Sequence, residues 1–271
     1  MTFQLYHTLY STCSQKVRMA LFEKGLEWKS REIDLVGREH LSEEYRALNP
    51  SGVVPTLKHD GKVITESSVI IEYLDDLFPD PPLAPRDPYG KAKLRAWICF
   101  INEFPTAYIR YPTFHVVIPL LVKGVSDEDR LAEADRRGAR KYLYRKATAE
   151  GLSDKDMIEG LDVLRATVLR VDKALSEKDG GWIMGHLFSL AECAITPTFD
   201  RMEDLGMAQM WSDRPQVADW WARIKQRPSF AKSYPAGSRV SEAIPNLREK
   251  RADLLADLLD RTGRKSLRGD S

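Results

Sequence analysis

The chain has 271 residues, 43% of them hydrophobic and 30% charged, with Lys+Arg 41 against Asp+Glu 40. That length suits two domains better than one, and the near-balanced charge gives no drive toward nucleic acid or an anionic membrane. No apolar run approaches the roughly 20 residues that a membrane-spanning helix needs. The opening MTFQLYHTLY lacks the basic start and long apolar stretch of a secretory signal. Three widely spaced cysteines, Cys13, Cys99 and Cys193, argue against a disulfide framework and for a reducing cytoplasm. The five scattered histidines have no metal-ligand spacing, so no metal is expected.

In chain order, TFQLYHT reads as a short strand and SQKVRMALFEKG as a helix stopped by Gly25. LEWKSREIDL alternates as a second strand, and HLSEEYRALNP is a short helix broken at Asn49-Pro50. TLKHDGKVIT is a hairpin, because Asp60-Gly61 between two β-prone runs favours a primed turn. ESSVIIEYLDDLFP is a helix closed by Pro79. The order β-α-β-α-β-β-α predicts a small mixed sheet with helices on its faces over residues 1–80.

PDPPLAPRDPYG, around residues 79–90, is Pro-rich and reads as a linker. Beyond it, segments 91–122, 126–150, 153–178, 189–206 and 214–226 carry helical spacing, so 91–235 is predicted all-helical. Leu161, Leu164, Val168, Val171 and Leu175, for instance, share one face. Residues 236–271 form a tail in which Leu247, Leu254, Leu255, Leu258 and Leu259 make a narrow apolar stripe that needs a docking surface.

Three short stretches are candidates for chemistry. Ser11, Thr12, Cys13 and Ser14 stand at a helix entrance, where a hydroxyl is a cap and a thiol is favoured as its anion. In NPSGVVPTL, Pro55 after Val53-Val54 is a candidate cis-proline whose turn would leave the Val54 backbone facing outward, ready to pair with an extended peptide. In TESSVI, Glu66 and Ser67 open a helix, a ready site for a carboxylate, with Glu66 able to meet an ammonium.

Together, STCSQKVRMALFEKGLEW, HLSEEYRALNPSGVVPTLKHDGKVITESSVIIEYLDDLFP and SLAECA resemble the glutathione transferases over roughly residues 3–235. SLAECA matches that family's capping box, in which Ser189 caps a helix and Glu192 reaches back to it, a structural role. The resemblance implies a thioredoxin-like N-terminal domain, an all-α C-terminal domain, glutathione as co-substrate and a dimer, homo- or heteromeric. By position, Glu66 and Ser67 would hold the γ-glutamyl end, Val54 ahead of Pro55 the cysteinyl unit, and His40 the glycyl carboxylate.

The thiol activator is one of three residues. STCS resembles the zeta-class pattern, which points to Ser11; alignment with the bacterial β-etherases points to Ser14, with Cys13 where they carry asparagine. Cys13 itself opens a thiol-exchange reading, helped by Lys16 and Arg18. The aromatics Trp97, Phe100, Phe104, Tyr108, Tyr111 and Phe114, with His115, are the expected lining for a second, aromatic substrate, opened by Pro105 and Pro112.

The extra material around 118–155 and the long tail also resemble the β-etherase-like group. That implies attack of glutathione thiolate on an electrophilic carbon, with cleavage of a lignin-derived β-aryl ether as the specific expectation. Alternatives are a maleylacetoacetate-isomerase-like enzyme, a disulfide reductase, and a non-catalytic glutathione-binding subunit of a heterodimer.

Overall fold

The computed structural model describes residues 2–121, 124–136, 141–148, 151–244, 247 and 258. Its N-terminal half holds β1 (Phe3–His7), α1 (Thr12–Glu23), β2 (Lys29–Glu32), α2 (Glu43–Leu48), β3 (Thr56–His59), β4 (Lys62–Ile64) and α3 (Ser67–Leu77). The sheet order is β2-β1-β3-β4, with β2 parallel to β1 and the other pairings antiparallel. Leu5 lies opposite Leu57, and both are fully buried. Asp60 and Gly61 both take positive φ, 45° and 86°, as a primed turn requires. This is the expected thioredoxin-like arrangement.

Phe78 to Asp87 connect to the helical half, and the Asp80–Pro81 bond there is cis. The predicted helix over 91–122 is three pieces: α4 (Pro88–Glu103), α5 (Pro105–Tyr108) and α6 (Arg110–Leu121). Pro105 has no N–H to continue α4, whereas Pro112 sits in the first turn of α6 and is tolerated there. The predicted helix over 126–150 is represented by α7 (Asp127–Asp135) and α8 (Lys141–Lys146). Then follow α9 (Asp154–Ser176), α10 (Leu190–Asp204), α11 (Pro215–Lys225), α12 (Pro228–Ser233) and α13 (Val240–Ala243). Of the tail leucines, Leu247 and Leu258 are buried; Leu254, Leu255 and Leu259 lie outside the described residues.

Helix α10 is the axle of the core, buried at nearly every position and packed on α1, α3, α4 and α5. Its capping box forms as expected: Glu192 accepts from the Ser189 N–H at 2.9 Å and hydroxyl at 2.7 Å, and also from the Ile183 N–H at 2.6 Å. Burial pushes the Glu192 carboxyl up despite these bonds. Phe199 on α10 packs edge-on to Trp220, with centroids 4.9 Å apart.

Helix α1 is the seam between the halves. At its far end Arg227 grips Glu23 through two bonds, 2.7 and 2.6 Å. In its middle the buried Arg18 guanidinium donates to the Thr8, Leu9 and Ser233 carbonyls and to His7 Nδ1 at 3.2 Å. Arg18 can only donate, so His7 Nδ1 accepts, and the ring proton sits on Nε2, facing Ser30 Oγ at 2.8 Å. Burial and then Arg18 lower the His7 pKa to about 4.

Acid lability follows. The unfolded chain takes up a proton on His7 near pH 6.5 and the folded chain only near 4, so this stabilisation is complete above 6.5 and is lost as pH falls through 4. At 1.36 kcal/mol per pKa unit it amounts to about 3 kcal/mol. Denaturation midpoints compared at pH 7.5 and 4.5 should show the loss in the wild type and much less of it in His7→Gln.

Candidate active site

The N-cap of α1 is Ser11, whose hydroxyl accepts from the Ser14 N–H at 3.3 Å. Ser11, Thr12 and Cys13 line a cleft between the halves, and Cys13 is half-buried there. Ser14 is fully buried, its hydroxyl accepts from the Thr8 N–H at 3.4 Å, and it is not on the cleft wall. The cause is packing: from Ser14 to Leu21 every residue of α1 is buried against sheet, α3, α10 and α12.

A second wall is the turn before β3. Tyr45 Oη and Asn49 Nδ2 both donate to the Val53 carbonyl, at 2.8 and 2.9 Å, and both also bond Thr56 Oγ1. That holds the following Val54–Pro55 bond, which is cis as expected, against the cleft. Neither the N–H nor the C=O of Val54 has a hydrogen-bond partner among the described residues. Gly52 has φ +57°, and a Cβ there would lie 3.1 Å from the His40 carbonyl. The chain can therefore bring His40, buried in a 3-10 turn (Glu39–Leu41), to the same wall.

Glu66 and Ser67 stand at the start of α3, outside the cavity lining itself. Glu66 is held at φ +65°, costly for a residue with a Cβ and a common mark of a working site. The first backbone bond of the helix runs from Ile70 to Glu66, so the N–H groups of Ser67, Ser68 and Val69 have no backbone acceptor. The first turns of α1 and α3 meet through Lys16, a fully buried ammonium bonded to Ser68 Oγ at 3.0 Å and Asn102 Oδ1 at 3.1 Å. Burial pushes the Lys16 pKa down, while Cys13 and Glu66 pull it up.

Opposite lies the helical half. Ile109, Thr113 and Val117 form one line along α6, and Arg110, Phe114 and Ile118 another. Val125, Asp129, Arg130, Glu133 and Ala134, at and before α7, cover the cleft, and Val240 and Ile244 close its end. The enclosed volume is about 360 Å³, within the range of a small-molecule site.

Six residues expected in this lining are elsewhere. Trp97 and Phe100 lie beneath the Arg170 guanidinium, 4.8 and 3.9 Å from it, and the half-exposed Phe104 packs on Phe100. Tyr108 stacks on Tyr111 with centroids 5.0 Å apart and donates to Glu159 at 3.0 Å. His115 Nδ1 accepts from the Leu152 N–H at 3.2 Å. The breaks at Phe104 and Ile109 rotate the helix, so the aromatics face α9 and its approach, and Phe114 alone of that run meets the cleft. The i, i+4 rows beginning at 109 and 110 were the legible signal for the real wall; Tyr10, Arg201 and Val240 carried none.

Comparison with known proteins matches both halves of the chain. The model of the glutathione S-transferase N-terminal domain matches residues 5–82, and that of the C-terminal domain residues 139–234. Protein LigF of Sphingobium sp. (strain SYK-6) is 29% identical over 88% of this chain and 95% of its own length. Maleylacetoacetate isomerase of Pseudomonas aeruginosa is 29% identical over 86% of this chain and 92% of its own. The crystal structure of beta-etherase LigF from the same Sphingobium strain superposes with a TM-score of 0.76 at 28% identity, covering 86% of this chain and 99% of that one. Two matched domains, the four-stranded sheet and the helical half joined across one cleft make this chain a member of the glutathione S-transferase family, whose co-substrate is glutathione.

Proposed function

We propose that the protein is a glutathione transferase acting on a hydrophobic aromatic electrophile, with a lignin-derived β-aryl ether as the favoured substrate. The observation that carries the reading is the cleft itself. Ser11 and Cys13, at the N-terminus of α1, share one cavity with the apolar rows of α6 and with Phe114. The similarity to a beta-etherase over most of both chains supports the ether.

The residues present fit glutathione. Val54 offers an unpaired N–H and C=O to an extended cysteinyl unit. Ser67 offers its hydroxyl and the open N-terminus of α3 to the γ-glutamyl carboxylate, Glu66 meets the ammonium, and His40 the glycyl end. Glutathione supplies the sulfur nucleophile that attacks the electrophilic carbon. Ser11 donates a hydrogen bond to that sulfur, and the N–H groups of the first turn of α1 favour its anionic form. On ether cleavage the C–O bond breaks, a phenol departs and a glutathione thioether remains.

A second reading rests on Cys13, which faces the same cavity one turn from Lys16. A thiolate there would attack the glutathionyl sulfur of a glutathione mixed disulfide, releasing the substrate thiolate. A second glutathione would then displace Cys13 and leave as glutathione disulfide, which would make the enzyme a glutathione-dependent reductase. We also infer a dimer formed through the outer face of α3 and α4, where Val69, Ala96 and Cys99 are exposed. No described helix is long and apolar enough to cross a membrane.

The test is turnover of glutathione with aryl ethers, benzylic halides and a glutathione mixed disulfide. Thioether formation with release of a phenol is expected. Absence of any conjugation, together with no binding of glutathione, would sink the reading. Reduction of the disulfide without conjugation, abolished in Cys13→Ser, would transfer the assignment to the second reading.

A further inference from the structure

The walls that Ile109–Ile118, Val125–Ala134, Val240 and Ile244 contribute lie outside both matched domain regions, so the domain matches do not by themselves assign their role. Its charged groups are almost all matched from within. Arg38 pairs with Glu133 at 3.5 Å. Arg130 pairs with Asp127 at 3.1 Å and donates to the Ala147 carbonyl at 2.7 Å. Arg201, buried at the cleft floor, donates to the Tyr10 carbonyl at 2.5 Å and to Thr113 Oγ1 at 3.3 Å. Asp129 accepts from the Ser126 hydroxyl at 2.7 Å.

Arg110 is the exception. It opens α6, is half-buried and lines the cavity, yet none of the described residues gives its guanidinium a hydrogen bond or a carboxylate. Its electrostatic neighbour is another cation, the buried Lys16, which raises the local positive potential further. A guanidinium desolvated on one side without a counter-charge is unfavourable by itself and binds a planar anion strongly, through two parallel N–H bonds. One turn along the same face stands Phe114, and one more turn along Ile118. An aromatic ring lying on Phe114 and Ile118 would place a ring substituent at Arg110.

Resting on the transferase reading for the other half of the cleft, we propose that the second substrate is an aromatic compound bearing an anionic substituent, a carboxylate above all, and that Arg110 is its recognition residue. The hydroxyl of Tyr10, which lines the same cavity, adds a neutral donor, since it has no hydrogen-bond partner among the described residues and burial keeps it protonated. Glutathione does not need this guanidinium, because its carboxylates are assigned to the sheet-domain side, at Ser67 and His40.

Binding tests this without turnover. With the glutathione site filled by S-methylglutathione, para-phenoxybenzoate and its uncharged methyl ester are titrated against wild type, Arg110→Met and Arg110→Lys. One charge-assisted pair predicts that the wild type prefers the carboxylate about 10-fold, that Arg110→Met binds both within about 2-fold, and that Arg110→Lys falls between them. In the wild type the preference should shrink as salt is raised. A wild type indifferent to the charge, a preference kept in Arg110→Met, or an Arg110→Met defect confined to S-methylglutathione would each overturn the proposal. If Arg110→Met does not fold, Arg110→Gln and the salt series decide it. Failure of conjugation alone strikes the transferase reading and leaves this one to stand or fall on the titration.

Discussion

Arg18→Met is expected to lower folding stability by about 2–4 kcal/mol, read as a shift in the denaturant midpoint at unchanged slope. The guanidinium is buried, yet no carboxylate among the described residues forms an ion pair with it; its acceptors are the carbonyls of Thr8, Leu9 and Ser233 and the ring of His7. Burial lowers its pKa to about 10, which still leaves it charged at neutral pH. The methionine stem keeps the packing and removes the donors, so Ser233 loses its carbonyl partner in a place water cannot reach. Removing a buried charge offsets part of this cost, hence the moderate figure. The loss also has a position. Thr8 and Leu9 lead directly into Ser11, so the corner that presents the thiol site should loosen, and KM for glutathione should rise with the drop in stability. A midpoint shift worth less than about 1 kcal/mol, within the scatter of surface substitutions, would contradict this account.

Ser11→Ala carries the largest expected effect on activity. A free thiol of pKa near 8.5 is about 3% thiolate at pH 7; a hydrogen bond and the first turn of α1 that lower it by about 1.5 units make it roughly half. Removing the hydroxyl leaves the helix contribution in place, so the conjugation rate at neutral pH should fall several-fold, with about 15-fold as the ceiling. The deficit should vanish above the free-thiol pKa, where glutathione ionises unaided. Because Ser11 is also the N-cap, the same substitution costs about 1 kcal/mol of stability. Ser11→Asp separates the roles: it keeps a capping oxygen but sets a carboxylate beside the sulfur, so stability should hold while the thiol pKa rises. A pH–rate profile unmoved in Ser11→Ala and displaced in Cys13→Ser or Ser14→Ala would assign the sulfur contact to one of the other two. Ser14→Ala should otherwise act on folding, since its side chain points into the core.

The N-terminal half was the more legible from sequence. Its elements are short and each carries its own punctuation: Gly25 ends α1, Asp60-Gly61 turns the hairpin, and Val54-Pro55 sets the turn before β3. Such signals are local, so a single sequence displays them. The same holds for Ser189 and Glu192, three residues apart and bonded to each other. The helical half was legible in type but misleading in direction. Trp97, Phe100, Phe104, Tyr108 and Tyr111 have the spacing of one face, but two breaks in the helix rotate them out of the cleft.

By itself, then, the sequence determined the order of elements, the thioredoxin-like sheet with its helical partner, the family resemblance, and Ser11 as the cap that opens α1. Those depend on residues close together in the chain, where backbone geometry and capping act. Only the tertiary structure decided which of Ser11, Cys13 and Ser14 meet the cavity, that Arg18 fastens the seam, and that Arg110 is left without a partner among the described residues. Those facts depend on what meets each side chain from distant segments: α10 and α12 on α1, Arg170 of α9 over the aromatics of α4, and residues of α7 with Val240 and Ile244 lining the same cavity as α6. Burial and pairing are properties of such contacts, and no local pattern encodes them.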